Sequence, residues 1–157
     1  DALAISMVAS DKAPNVNPAI VDGLVNQIKT INNTIYNKIR DEIKISLEAG
    51  ESIDMMADRI KDVYKFTSAK SRIIARTESG KVINQSTDQR YKDEGVQKKR
   101  WLSAGDPLVR ETHATNNSAG TVDYDHVYSN GMKYPHDPAG SAGDVINCRC
   151  ALVPIIE

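Results

Sequence analysis

Apolar residues recur every three or four positions along the first part of the chain, and polar residues fill the positions between them. The run follows Asn17-Pro18, a pair that suits the cap and first turn of a helix, and Gly50 ends it. The spacing predicts one amphipathic helix, whose apolar positions are Ile20, Leu24, Ile28, Ile31, Ile35, Ile39, Ile43 and Leu47. We favour packing of this stripe on the chain's own helices. Contact with a partner helix is the alternative, because a helix of about 47 Å is longer than a compact domain needs.

Two further helices are predicted after Gly50. Ser52 can cap the second helix, and Thr67 can open a third that runs to about Gly95. Around the third helix, several basic side chains face the single acid Glu78; they are Lys65, Lys70, Arg72, Arg76 and Lys81. Charge runs of this kind are usually solvated helix faces, and contact with nucleic-acid phosphates is the alternative.

The pattern changes after Gly95 to short apolar stretches separated by Gly, Pro and Asn. Residues 96–102 predict a strand in which Lys98 and Lys99 form a solvent-facing edge and Trp101 anchors the core. A loop follows up to Gly120, and residues 124–128 and 145–156 complete a small sheet. Long helices followed by a small, mainly antiparallel sheet give an α+β fold. We expect the third helix to pack on this sheet with Trp101 between them, its isoleucines Ile73, Ile74 and Ile83 and its Val82 completing the core.

Composition narrows the class of protein. The chain has 157 residues, 40% of them hydrophobic, and a formal net charge of -1. These values exclude a wholly disordered chain and a globally basic nucleic-acid binder. The sequence contains no apolar stretch of the roughly 18–20 residues that cross a bilayer, so we expect no membrane partner.

Reactive side chains are concentrated after residue 95, where all three His, both Cys and the single Trp lie. On a strand, Cys148 and Cys150 point to the same face, so with His113 and either His126 or His136 they could supply four zinc ligands. Structural zinc sites favour two to four residues between paired cysteines, and cysteines are often buried without metal. We therefore favour two reduced thiols in the core and no cofactor, with zinc at Cys148, Cys150 and His113 as the alternative.

A series of short motifs runs from about Thr67 to Ile156 and resembles the phage Mu F-like head morphogenesis family. It comprises Ile74-Ala75-Arg76-Thr77-Glu78 and Asn84, Arg100-Trp101 ahead of Asp106, Arg110-Glu111-Thr112-His113, Asp137-Pro138, and Asn147-Cys148-Arg149-Cys150. The motif positions that we expect to serve the fold are Arg76, Glu78, Trp101, Arg110, His113, Asp137, Asn147, Cys148 and Cys150. For Arg76 we expect an ion pair with Glu78.

The resemblance implies a head morphogenesis domain over residues 67–157, preceded by a helical arm over residues 1–66 that serves assembly. It further implies a minor head protein of a tailed bacteriophage or prophage, made in the bacterial host cytoplasm and located in the virion. Its partners would be the portal protein and other head proteins, and its role procapsid assembly and DNA packaging or ejection. Contact with double-stranded genomic DNA would be independent of sequence, and its candidate residues are Lys65, Lys70, Arg72, Lys81, Lys98, Lys99 and Arg100.

The alternative is a toxin-like enzyme domain, a nuclease or an ADP-ribosyltransferase, borne on a phage head protein. The sequence lacks a Gly-rich phosphate loop, a nucleophile elbow and a two-His metalloprotease helix. We therefore favour a structural and interaction protein and assign no catalytic residues.

Overall fold

A computed structural model describes residues 33–156, and three helices come first. They are α1 (Asn33–Glu48), α2 (Ile53–Tyr64) and α3 (Ser68–Asp93). The hydroxyl of Ser52 accepts a hydrogen bond from the backbone N–H of Met55, and that of Thr67 accepts one from Lys70, both at 3.3 Å. Both predicted caps are confirmed. The predicted first helix before residue 33, including Ile28, lies outside the described residues.

An aliphatic cluster, here called the helical core, joins these helices. Its buried members are Ile39, Ile43, Leu47, Met56, Ala57, Ile60, Ala75 and Val82. The stripe of α1 therefore packs on the chain's own helices over residues 39–47, as favoured from the sequence. The helical core includes residues on both sides of the boundary predicted at residue 66, and independent folding of residues 67–157 stays a prediction.

A three-stranded antiparallel sheet follows, in the order β2-β1-β3. Its strands are β1 (Lys98–Leu102), β2 (Thr121–Asp123) and β3 (Ala151–Ile155), with Trp101 opposite Leu152. Helix α4 (Glu111–Ser118) precedes β2, and the single turn α5 (Ala142–Val145) precedes β3. The α+β prediction is confirmed. Three details differ: α4 occupies most of the predicted loop, residues 124–128 form no strand, and the segment predicted as a strand over 145–156 is one only over Ala151–Ile155, so Cys148 and Cys150 lie just before β3.

The expectation that β1 is an edge strand is wrong, because β1 is the central strand. Lys99 is 0% exposed, and its Nζ donates a hydrogen bond to the carbonyl of Lys133 at 2.8 Å. The same ammonium lies 5.3 Å from the ring centroid of Tyr124 and 5.8 Å from that of Tyr128. Lys99 is thus a core residue: its aliphatic stem is buried and its ammonium is hydrogen-bonded inside the fold. It is therefore not a surface cation.

Trp101 is buried as expected, but its neighbours differ from the prediction. It packs in a second cluster, here called the sheet core, whose members are Trp101, Tyr128, Met132, Val145, Cys148 and Cys150. Val82 and Ile74 of α3 instead contact the helical core, and Ile73 is exposed. Loop residues 128–148, rather than the isoleucines of α3, therefore complete the sheet core. Among residues 33–156, no helix combines the length and apolar character needed to cross a membrane.

Candidate functional site

Three buried side chains converge between α4 and the segment that leads into β3. Nδ1 of His113 lies 3.6 Å from Sγ of Cys148 and 3.4 Å from Sγ of Cys150. One ligand atom from each of the three residues lies within 4.8 Å of the others, and both cysteines are free thiols. The structure therefore brings together the three residues that the sequence proposes as a metal set, called the His-Cys-Cys cluster below.

The two thiols share a hydrogen bond that shifts their pKa values in opposite directions. The hydrogen bond from the Cys150 thiol and the contact with His113 lower the pKa of Cys148, although burial opposes this shift. The pKa of Cys150 is raised, first by the same hydrogen bond to Cys148 and then by burial. Thiolate is the form of cysteine that binds metals, and the hydrogen bonds to Cys148 favour that form there.

A carboxylate lies on the far side of His113. Nε2 of His113 is 3.5 Å from Oδ1 of Asp144. That carboxylate is held in place by the hydroxyls of Thr112 at 2.9 Å and Ser141 at 2.8 Å. A carboxylate near the far ring nitrogen is typical of metal-ligating histidines, but at this separation Nε2 forms no hydrogen bond to Asp144.

Helix α3 fixes the residue that directly precedes Cys148. The guanidinium of Arg76 donates to Oδ1 of Asn147 at 2.8 Å, and the backbone N–H of Asn147 donates to the hydroxyl of Thr77 at 2.9 Å. Asn147 has a φ of 57°, a left-handed conformation that Asn tolerates better than most residues. The expected Arg76–Glu78 ion pair is wrong, since Glu78 instead pairs with Lys81 at 2.9 Å.

Other motif residues hold loop backbone near the cluster. Arg110 donates to the carbonyl of Ile146 at 2.5 Å. Asp137 accepts from the backbone N–H of Lys133 at 2.7 Å and from that of Ala139 at 2.9 Å. Arg149 forms a bidentate pair with Asp106. These contacts explain the motif as a set of loop restraints around Cys148 and Cys150.

Neither remaining histidine completes a four-ligand set. His126 is exposed, whereas His136 is buried with its Nδ1 3.2 Å from Nδ2 of Asn84. Asn84 is oriented by two backbone groups, since Nδ2 donates to the carbonyl of Gly80 and Oδ1 accepts from the N–H of Leu152. Nδ1 of His136 therefore accepts a hydrogen bond and Nε2 bears the proton, so His136 does not act as a ligand in this arrangement.

Gly80 is a site residue to which sequence reasoning gave no role. A Cβ atom there would overlap the ring of His136, coming within 2.5 Å of Nε2. A glycine in the middle of a helix is unfavourable by about 1 kcal/mol relative to alanine. A glycine inside the predicted third helix was therefore a sign that another group packs closely against the helix at that position.

The candidate DNA-binding residues form two groups rather than one stripe. Lys65, Lys70 and Arg72 lie around the start of α3, whereas Lys98 and Arg100 lie on β1, which follows the other end of that helix of about 39 Å. Arg72 pairs with Asp54 at 2.5 Å, and Nζ of Lys70 lies 4.7 Å from the ring centroid of Phe66. Of the remaining candidates, Lys81 is neutralised by Glu78 and Lys99 is buried.

Comparison with known proteins finds relatives among phage and bacterial proteins. An uncharacterised protein of Haemophilus influenzae is 27% identical over 92% of this chain and 31% of its own length. An NAD(+)--arginine ADP-ribosyltransferase, EFV, of Enterococcus faecalis is 26% identical over 99% of this chain and 34% of its own length. The minor head protein GP7 of Bacillus phage SPP1 is 31% identical over 78% of this chain and 42% of its own length. No solved structure gives a significant match.

The chain thus spans between 31% and 42% of the length of these relatives. The family described as Phage Mu protein F like protein matches residues 37–153, a segment that includes α2 to α5, most of α1, β1, β2 and the His-Cys-Cys cluster. Because this match covers well over half of the chain, the protein belongs to the Phage Mu protein F like family.

Proposed function

We propose that this chain is the head-protein module of a tailed bacteriophage or prophage and acts as part of a minor head protein in the virion. The observation on which the proposal rests is the family match over residues 37–153, supported by the similarity to the minor head protein of Bacillus phage SPP1. Its partners are then other head proteins and the portal, and its role is procapsid assembly with DNA packaging or ejection.

The proposal can be tested in a phage or prophage whose genome encodes the chain. We expect the protein to co-purify with heads through density-gradient separation, and we expect loss of its coding segment to lower the DNA content or the infectivity of the particles. Normal particles made without the protein, together with its absence from wild-type heads, would contradict the proposal.

The assembly contact can be located with a surface variant. Ile35 packs partly against the helical core, so a charge there would disturb folding as well as assembly. Ile45 on α1 is a sharper choice, because it is 45% exposed and lies outside that core. Ile45→Asp should reduce incorporation into heads with little change in stability, whereas Asn37→Asp on the exposed part of the same helix serves as the charge-matched control. Equal incorporation of both variants would remove this face of α1 from the assembly contact.

Contact with packaged DNA is the finer part of the proposal. The cations at the start of α3 support it, since binding to phosphates needs only clustered positive charge and is weakened by salt. Lys70→Glu with Arg72→Glu should lower DNA affinity and reduce the salt slope by roughly one unit per lost phosphate contact. Arg90→Glu, near the other end of α3, is the control. If the unaltered protein does not bind DNA even at low ionic strength, these basic side chains only contact solvent and the proposed DNA contact is wrong.

We attribute the similarity to an ADP-ribosyltransferase to a domain that both proteins contain, and not to a common enzyme activity. The match covers 34% of that enzyme, and this chain also matches a minor head protein. We expect the purified chain to transfer no ADP-ribose from labelled NAD to an arginine-containing acceptor. Transfer that is lost on heat inactivation would favour the enzyme alternative.

A further inference from the structure

We infer that His113, Cys148 and Cys150 bind one zinc ion, which holds α4 against the segment leading into β3. The inference rests on the His-Cys-Cys cluster alone and is independent of the proposed role in the phage head. All three side chains are buried, so the ion would be a structural centre inside the fold.

The spacing of the ligand atoms fits a shared tetrahedral ion. Zinc lies about 2.3 Å from a thiolate sulfur and about 2.0–2.1 Å from an imidazole nitrogen, so two such ligands on one tetrahedral ion are about 3.5–3.6 Å apart. Nδ1 of His113 lies 3.6 Å and 3.4 Å from the two sulfurs. An ion would therefore fit with shifts of a few tenths of an ångström or less in these two separations.

Hydrogen bonding alone leaves this cluster incompletely satisfied. A neutral imidazole has one in-plane lone pair on its unprotonated nitrogen, yet both sulfurs approach the same Nδ1 of His113. That nitrogen can make only one well-aligned hydrogen bond, whether it accepts or donates, so one of the two sulfurs is left without it. A cation shared by all three atoms satisfies them at once.

Charge balance also favours a divalent ion. Zn²⁺ displaces the two thiol protons, which leave to solvent, and the resulting ion with two thiolates is neutral overall. A neutral centre avoids the large cost of burying an unpaired charge. The backbone N–H of Cys150 donates to Sγ of Cys148 at 3.4 Å, so one sulfur already has an outer partner, and the Asp144 carboxylate lies 3.5 Å from Nε2 of His113.

The ligand types select zinc and leave one coordination position for solvent. Two thiolates and an imidazole suit zinc better than magnesium or calcium, which prefer oxygen ligands. His136 is excluded from the fourth position because its Nδ1 accepts from Asn84 and its Nε2 is protonated. A water molecule would take that position.

The first experiment uses the unaltered full chain, purified without added chelator. We expect about one zinc per chain by elemental analysis, and after removal of zinc a melting temperature lower by on the order of 10 °C that added Zn²⁺ restores. Co²⁺ added to the metal-free protein should give the thiolate-to-metal absorption and the intense visible bands of a tetrahedral cobalt site. Metal-free protein of unchanged stability that gives no such spectrum would overturn the inference.

Variants then assign the ion to this cluster. Cys148→Ser, Cys150→Ser and His113→Asn should each lower the zinc content at least several-fold, whereas the exposed His126→Ala should retain about one zinc per chain. If a variant does not fold, the cobalt spectrum of the unaltered chain still decides, because two thiolate ligands require both cysteines of the sequence. Zinc that persists in folded Cys148→Ser and Cys150→Ser proteins would place the ion elsewhere and overturn the assignment.

Discussion

The helical core and the sheet core are built from different chemistry. The helical core consists of aliphatic side chains and one methionine, which attract each other without regard to direction. The sheet core combines aromatic rings and thiols and adjoins buried polar groups, among them His113, whose ring centroid lies 5.2 Å from that of Trp101. The helical core is specified by the spacing and volume of its side chains. The sheet core depends in addition on specific hydrogen bonds between polar atoms.

Helix α3 belongs to both regions and shows how they are joined. Its Ala75 and Val82 enter the helical core, while Thr77 and Asn84 accept hydrogen bonds from backbone N–H groups of the sheet region. The hydroxyl of Tyr124, just after β2, donates to Asp88 near the end of the same helix. One side of α3 is therefore buried by apolar contacts and another by hydrogen bonds. Because the helix is shared, we expect the described residues to unfold in one transition.

The largest expected effect is the loss of the aromatic centre of the sheet core. Trp101 is 0% exposed and packs edge to face against Tyr128, with ring centroids 5.2 Å apart. Trp101→Ala should lower the free energy of unfolding by about 3–5 kcal/mol, because it removes a large buried ring and leaves a cavity. Urea unfolding followed by circular dichroism measures this loss. Leu108→Ala, at a position that is 80% exposed, should change stability by less than about 0.5 kcal/mol.

These two regions differ in how far the sequence predicted them. The isoleucine spacing and the caps at Ser52 and Thr67 predicted the helices, since both signals are local. The set of His113, Cys148 and Cys150 was predicted with only its fourth ligand left open, because few residue types can share a zinc ion. The contacts of Arg76 with Asn147 and of Asn84 with His136 could not be predicted. They join residues that are far apart in sequence and depend on the path of the intervening loops.

In the helical core, the matching test compares two isoleucines on the same helix. Ile43 is 2% exposed and Ile45 is 45% exposed. Ile43→Ala should lower the free energy of unfolding by about 2–5 kcal/mol, and Ile45→Ala by clearly less, because only the first leaves a cavity. Fluorescence of the single Trp101 should follow the same transition as circular dichroism in the Ile43→Ala protein. Two separate transitions would show that the regions unfold independently and that α3 does not couple them.

Gly80 tests the contact between the regions directly. In a helix, replacing glycine by alanine normally stabilises by about 1 kcal/mol, but here the new Cβ would overlap the ring of His136. Gly80→Ala should therefore lower the free energy of unfolding, by about 1–3 kcal/mol, through overpacking. Gly143→Ala in α5 meets only an ordinary contact with Ser141 and should be neutral or slightly stabilising. Adding His136→Ala should return part of the stability that Gly80→Ala removes. A Gly80→Ala protein more stable than the unaltered chain would refute the close approach.

The smallest expected effect concerns the buried ammonium of Lys99 in the sheet region. Burial lowers the pKa of Lys99 from 10.5 to about 8; Asp88 and Asp125 oppose this shift, whereas Lys133 and Lys92 add to it. Between these pH values the unfolded chain holds a proton that the folded chain has lost, so stability rises with pH. From about pH 8 to about pH 9.5 the gain should reach roughly 1–2 kcal/mol.

Lys99→Met keeps the stem of the side chain and removes its charge, so this variant should lack the gain that Lys99 contributes between about pH 8 and about pH 9.5. The difference between the two proteins, measured by urea unfolding at each pH, cancels contributions from other titrating groups. Burial raises the pKa of Tyr128 to about 12, so its own loss of stability begins only above the ordinary tyrosine pKa of about 10. The same pH dependence in both proteins would mean that the Lys99 ammonium is not buried. Only a desolvated ammonium has a lower pKa in the folded protein than in the unfolded chain.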